Sequence, residues 1–299
     1  MTPRVLALPA LGSALACYEG GDPAGPPLLL LPGNSLSAAS TYGALWADPA
    51  LAGFRLLALD WPGCGASPWV SPAQHGLYGL RGLRRVLRAA GAALPLAGAL
   101  VVAHSLAGHL LLDVLADLPP LRGALLVGTP PLADAASLGA AFRPDPRAAG
   151  LFGAALTPAA LADLLALLLH PAHHAAHAPA LAAALRQSDP AFRTALSADI
   201  AAGHLVDEVA VLRNTRLPLA LALGAADGLI DAAYFAALPA APARWGSALT
   251  LLAGAGHLPM LETPAAFGAL LLAFAAATAP PPASHEMSAT DISASVTPA

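Results

Sequence analysis

A serine hydroxyl is a weak nucleophile until a base removes its proton. An imidazole can do that near neutral pH, and a carboxylate can hold the imidazole in the right tautomer and stabilise its charged form. The chain carries these three residue types in the order Ser105, Asp227 and His257, each just past a short apolar run. Ser105 lies in VVAHSLAGH, residues 101–109, with Ala103 and Ala107 two positions to either side. Small residues at that spacing let a strand turn sharply into a helix and present the serine at the turn. Taken singly, each residue has a plainer reading: Ser105 as a helix N-cap, Asp227 as a turn aspartate, His257 as a polar loop residue. The joint order and placement argue for nucleophile, acid and base. Asp134, beyond the run at 123–127, is a reserve candidate for the acid.

The runs that must position these residues read as buried strands. Uninterrupted apolar stretches at 28–31, 54–59, 99–102, 123–127, 217–223 and 248–252 are each bounded by turn residues. That is the pattern of parallel strands buried on both faces. They end in PGNS (32–35), DWPGCGAS (60–67), the Ser105 turn, GTPP (128–131), GAADGLID (224–231) and AGAGHLPMLETP (253–264). Strand, loop and helix in alternation predict a doubly wound α/β sheet, mostly parallel with helices on both faces, whose ligand site lies outside the carboxyl ends of the strands. Two short apolar runs within 5–18, around Gly12 and Ser13, suit an edge hairpin.

Between residue 131 and the run at 217 lie far more residues than a βαβ crossover needs, so an inserted helical cap is expected over 132–216. Its segment LTPAALADLLALLLHP reads as a helix with Thr157 as N-cap. Leu161, Leu164, Leu165 and Leu168 recur there at helical spacing, a stripe that more often seats a helix on its core than touches substrate. The core then comprises 1–131 and 217–277, closed by a helix over 264–277. Residues 278–299, rich in Pro and then Ser, Thr and Ala, are expected to form a disordered tail.

Composition narrows the remaining classes. The 299 residues are 57% hydrophobic and 11% charged, and all 14 basic residues are Arg. Mean hydropathy is +0.65. The longest uncharged stretches, 89–112 and 265–283, are nevertheless broken by Gly, Pro and polar residues, so no membrane span is expected. A net charge of -4 provides no electrostatic footprint for nucleic acid. Arg81, Arg84, Arg85 and Arg88 follow helical spacing and read as a solvated face. Cys17 and Cys64 are too few for a disulfide framework, and the N-terminus, with one Arg and an apolar run cut by Pro9, makes a poor secretory signal. A cytoplasmic protein is expected. His170, His173, His174 and His177 suggest metal ligands, but Pro171 and Pro179 are expected to interrupt the segment and no Cys or carboxylate sits among them, so a biased surface is the preferred reading. His104 reads as a structural or pocket residue; it and His109 flank the Ser105 turn.

PGNS, DWPGCGAS, AHSLAGH, GAAD and GHLPMLETPAAF together resemble the successive signature blocks of the α/β-hydrolase superfamily, from Pro32 to Phe274, the cap excepted. The last block, with His257, Pro259, Glu262, Pro264 and Phe267, is the most specific. GNS, SLAGH and GTPP are similar to the metal-independent N-acyl-homoserine lactone lactonases and to nearby carboxylesterases. The resemblance implies the α/β-hydrolase fold, a cofactor-free serine hydrolase and an oxyanion hole formed by the backbone N–H groups of Asn34 and Leu106. Pro32 stands where the family usually has His. The expected substrate is a small ester or lactone with an acyl chain under the cap. A C–C hydrolase or perhydrolase would share the triad, and a binding protein on the same fold would usually show a broken one. An Asp at position 105 would have indicated a dehalogenase or epoxide hydrolase.

Overall fold

The computed structural model describes residues 1–154, 156–241, 243–246 and 249–279. The expected tail therefore lies outside the described residues except for its first two positions. The described strands are β1 (Pro3–Leu8), β2 (Ser13–Gly21), β3 (Pro27–Leu31), β4 (Arg55–Leu59), β5 (Leu100–His104), β6 (Gly123–Val127), β7 (Leu219–Gly224) and β8 (Thr250–Leu252). They form one eight-stranded sheet in the order β1-β2-β4-β3-β5-β6-β7-β8. From β4 onward all neighbours are parallel; β1 and β2 form the expected edge hairpin, and β2 pairs antiparallel with β4. Leu28, Leu29, Leu30 and Leu31 are all at most 1% exposed. Burying each such side chain contributes about 1.5–3 kcal/mol, so an alanine at Leu30 is expected to cost about 2–5 kcal/mol.

Helices α1 (Ala38–Trp46), α2 (Leu80–Ala93) and α3 (Leu106–Val114) follow β3, β4 and β5. Between β6 and β7 come α4 (Ala135–Ala141), α5 (Pro158–Leu168), α6 (Pro171–Gln187), α7 (Pro190–Ala201) and α8 (Glu208–Asn214). The chain closes with α9 (Pro259–Glu262) and α10 (Pro264–Ala277). α1 packs with α9 and α10, while α2 packs with α3, two groups as befit a sheet covered on both faces. The helices between β6 and β7 lean on both groups, α6 on α1 and α9, α7 on α2, and α8 on α3. Thr157 caps α5, accepting from the Ala160 N–H at 3.2 Å. Leu161, Leu164, Leu165 and Leu168 are all buried, and of the four only Leu168 lines the cavity described below, so the stripe is chiefly a packing seam.

Two local expectations change. Helix α6 runs through Pro179 rather than breaking there; a proline removes one intrahelical bond, and packing of Ala178, Leu181, Ala182 and Leu185 in the core outweighs that loss. The histidine rings do approach one another along it, tilted, His170 to His173 at 5.9 Å and His173 to His177 at 6.1 Å between centroids. Yet among the described residues no group of three His, Cys, Asp or Glu is arranged to hold a metal. The Arg stripe of α2 is not uniformly solvated: the Arg81 side chain is 66% exposed but that of Arg84 only 11%, because Asp113 of α3 meets it. Among the described residues no helix is long and apolar enough to cross a membrane.

Candidate active site

β5 delivers Ser105 into a conformation that L-residues rarely adopt, with φ 53° and ψ −119°. Such strain persists only where the surroundings hold it. Here the Ser105 N–H donates to the Val127 carbonyl at 2.8 Å, and the Ser105 carbonyl accepts from Thr129 Oγ1 at 2.8 Å and from the Gly108 N–H at 2.9 Å. Ala103 and Ala107 are fully buried, but the closest approach is one residue further on. A Cβ at Gly108 would run into the Thr129 side chain, so that position admits only glycine.

His257 is held at its backbone as well as its ring. Its N–H donates to the Leu168 carbonyl at 2.7 Å, and its carbonyl accepts from His104 Nε2 at 3.0 Å. Its Nδ1 lies 2.7 Å from Asp227 Oδ2. A carboxylate only accepts, so Nδ1 carries the proton and the Nε2 lone pair is free. The other oxygen, Asp227 Oδ1, accepts from the Leu229 and Ile230 N–H groups at 2.8 and 3.0 Å, which orients the carboxylate. By the same reasoning His104 carries its proton on Nε2. Burial, and then the neighbouring His257, push its pKa well below the ordinary value, so it stays neutral. Gly128 closes the arrangement: its φ is +61°, and a Cβ there would sit 2.8 Å from His257 Cε1.

The loop after β3 is pinned from beneath. Trp61 Nε1 donates to the Pro32 carbonyl at 2.7 Å. Buried Asp60 accepts from the Ala38 N–H at 2.6 Å, the Ala66 N–H at 2.8 Å and the Tyr18 hydroxyl at 2.7 Å. Burial raises its pKa against those three donors. Asn34 Nδ2 donates to the Leu151 carbonyl at 2.8 Å. The backbone N–H groups of Asn34 and Leu106 have no acceptor in the protein among the described residues. Glu262 plays the corresponding part for the His257 loop: Oε1 accepts from the Gly256 and Leu258 N–H groups at 3.0 and 3.1 Å, and Oε2 from His170 N–H at 2.7 Å.

Ser105, His257, Asn34 and Leu106 all line one cavity of about 310 Å³, at the lower end of the ~300–1,000 Å³ usual for ligand sites. Asp227 stands behind His257. Among the described residues Ser105 Oγ has no hydrogen-bond partner; such contacts often tighten only around substrate. Much of the wall is apolar, with Leu36, Leu132, Phe142, Leu151, Leu168 and Leu229. Asp134, the reserve acid, is elsewhere: it is exposed and caps α4 by accepting from the Ser137 N–H at 2.9 Å. The pinning roles of Asp60, Trp61 and Glu262 were not assigned from sequence; buried polar residues inside otherwise Gly- and Pro-rich loops were the available signal.

No curated protein matches the chain by sequence. Among solved structures it is similar to N-acyl homoserine lactonase AidH complexed with N-butanoyl homoserine, at 23% identity over 95% of this chain and 100% of that one, with a TM-score of 0.83. It is also similar to the esterase RhEst1 from Rhodococcus sp. ECU1013, at 24% identity over 93% of this chain and 100% of that one, with a TM-score of 0.70. At these identities the likeness is one of fold. The model described as the alpha/beta hydrolase family matches residues 28–270, most of the chain and every loop that faces the cavity. The chain therefore belongs to the alpha/beta hydrolase family.

Proposed function

We propose that the protein is a serine hydrolase that cleaves a carboxylic ester or lactone through an acyl-enzyme, with Ser105 as nucleophile, His257 as base and Asp227 as its orienting acid. The observation that carries this reading is the strained Ser105 turn opening into the same cavity as a His257 ring whose Nδ1 is held by Asp227. In the reaction, Ser105 Oγ bonds to the carbonyl carbon while His257 Nε2 takes its proton. The negative charge on the carbonyl oxygen is met by the N–H groups of Asn34 and Leu106. His257 then returns the proton to the leaving alkoxide as the ester C–O bond breaks. Water, deprotonated by His257, attacks the acyl-enzyme, and the C–O bond to Ser105 breaks as His257 returns the proton to Ser105 Oγ, freeing the acid. Helices α4 to α8 act as the cap, and the apolar wall receives the acyl chain. The similar N-acyl homoserine lactonase places acyl lactones beside simple esters among the substrates to try.

The test is fluorophosphonate labelling together with turnover of p-nitrophenyl esters and acyl lactones. The wild type should label, Ser105→Ala should not, and turnover by that variant should fall by roughly 10⁴-fold or more. EDTA should leave the activity intact, because nucleophile and charge stabilisation both come from the protein. Labelling of Ser105→Ala at the wild-type rate, or full turnover by it, would overturn the mechanism. A labelled protein inert to every ester and lactone would transfer the triad to C–C cleavage or perhydrolysis.

A further inference from the structure

Away from Ser105, the same cavity reaches a cluster of charged side chains. Ser105 is the N-cap of α3, and His109 and Asp113 follow it four and eight residues on, near one face of the helix. At 1.5 Å rise per residue, His109 lies about 6 Å and Asp113 about 12 Å along the axis from Ser105. Both line the cavity, as do Arg84 of α2 and Glu208 of α8. Arg84 Nε donates to Asp113 Oδ2 at 2.6 Å, and Arg84 Nη2 to the His204 carbonyl at 2.7 Å. Glu208 receives His109 Nδ1 at 2.9 Å and the Leu132 N–H at 2.9 Å.

Two polar atoms of this cluster are left over. Asp113 Oδ1 is buried with no hydrogen-bond partner, on a side chain only 2% exposed. His109 Nε2 has no protein partner among the described residues. A buried carboxylate oxygen without a donor is costly and calls for an explanation. Burial opposes the charged form of His109, but the charge and hydrogen bond of Glu208, with Asp113 beyond, raise its pKa, which favours a proton on Nε2. The cluster thus offers one acceptor and one donor. With that proton in place, Arg84 and His109 balance Asp113 and Glu208, and the complementary group is neutral.

We propose that this end of the cavity is a subsite for a neutral group that both donates and accepts a hydrogen bond, a hydroxyl or a secondary amide, carried on the substrate one to two helical turns beyond the scissile carbonyl. The group gives its hydrogen to Asp113 Oδ1 and takes one from His109 Nε2. The proposal rests on the serine-hydrolase reading and names the substrate class for it, an ester or lactone whose chain bears an internal or terminal polar group. A purely aliphatic chain of the same reach leaves both atoms unpaired.

The experiment compares p-nitrophenyl hexanoate, octanoate and decanoate with their ω-hydroxy, ω-acetamido and ω-methoxy counterparts. In the wild type, hydroxyl or acetamide is expected to raise kcat/KM by about ten-fold or more at one chain length, the gain of a hydrogen bond to a charged group. The methoxy ester, an acceptor only, should lack most of that gain. His109→Leu and Asp113→Asn should each lower the preference toward unity, and Arg84→Met combined with Asp113→Leu should reverse it in favour of the alkyl ester. Each result is a ratio of two substrates on one protein, so a general loss of activity cancels. If the Asp113 variants do not fold, His109→Leu decides. A wild type without preference at any length, or a preference that survives His109→Leu, overturns the subsite. Fluorophosphonate labelling separates the two readings: labelling without preference removes the subsite alone, whereas absent labelling removes the serine mechanism beneath it.

Discussion

Two imidazole–carboxylate pairs adjoin one cavity, lined by His257, His109 and Glu208 with Asp227 behind His257, and they are built differently. His257 and Asp227 sit on loops at the carboxyl ends of β8 and β7, and backbone groups hold both: Asp227 Oδ1 takes two N–H groups, and His257 is fastened at its own N–H and carbonyl. His109 and Glu208 sit on helices α3 and α8; Glu208 is tied to Leu132 by its carboxylate and by its own N–H, whereas among the described residues the His109 ring nitrogens meet only the Glu208 carboxylate. The first pair is positioned by the sheet, whose register sets the loops to within a residue. The second depends on how helices pack across long sequence separations. Pairs of the first kind suit chemistry that tolerates little displacement, since misplacing reacting atoms by about 1 Å can cost about 100-fold. Pairs of the second kind suit recognition, where a donor and an acceptor need only approximate alignment.

Perturbing each end separately sharpens that contrast. The largest effect after loss of Ser105 is expected at the oxyanion loop. Asn34→Pro deletes one N–H at the serine end, and kcat should fall about 100- to 1,000-fold, with folding checked by circular dichroism. Near-normal turnover by a folded Asn34→Pro protein would exclude that donor. Glu262→Gln should act next, through the His257 loop, because its amide must turn either an N–H or a carbonyl toward backbone donors that both carboxylate oxygens now serve. A loss of about 1–3 kcal/mol in urea denaturation is expected, with kcat lowered more than KM is raised. Unchanged kcat and stability would show that the loop holds its shape without the carboxylate.

The smallest effect belongs to the distal end and is read as a pH dependence. Burial, with Glu208 nearby, pushes the Asp113 pKa up to about 6 from an ordinary 3.8, with Arg84 opposing the shift. The folded state therefore favours protonated Asp113. Its contribution is full below the ordinary value and is lost as pH rises through about 6. Relative to wild type, Asp113→Asn should gain stability between about pH 4 and pH 7, by on the order of 1–3 kcal/mol. Denaturation curves across that range check it; a difference independent of pH would mean that the carboxylate keeps the same charge state throughout.

Local pattern alone located the six parallel strands and the helix over 264–277, which the structure places at Pro264–Ala277. An apolar run between Gly and Pro loops has few other ways to bury itself, and the order of Ser105, Asp227 and His257 follows from where those runs end. The two aspartates Asp134 and Asp227 looked alike in sequence, each just beyond a strand; only the structure separates a solvent-facing helix cap from a carboxylate 2.7 Å from an imidazole. Arg84 was equally ambiguous. Its spacing on α2 is that of a solvated stripe, and its burial was decided by Asp113, 29 residues away, and the His204 carbonyl, 120 residues away. The pairing of His109 with Glu208 spans 99 residues. A strand announces itself because its hydrogen-bonding and burial requirements repeat within a few residues, whereas a charged side chain can be buried only where a partner from elsewhere in the chain arrives, and that meeting is fixed by how the helices pack.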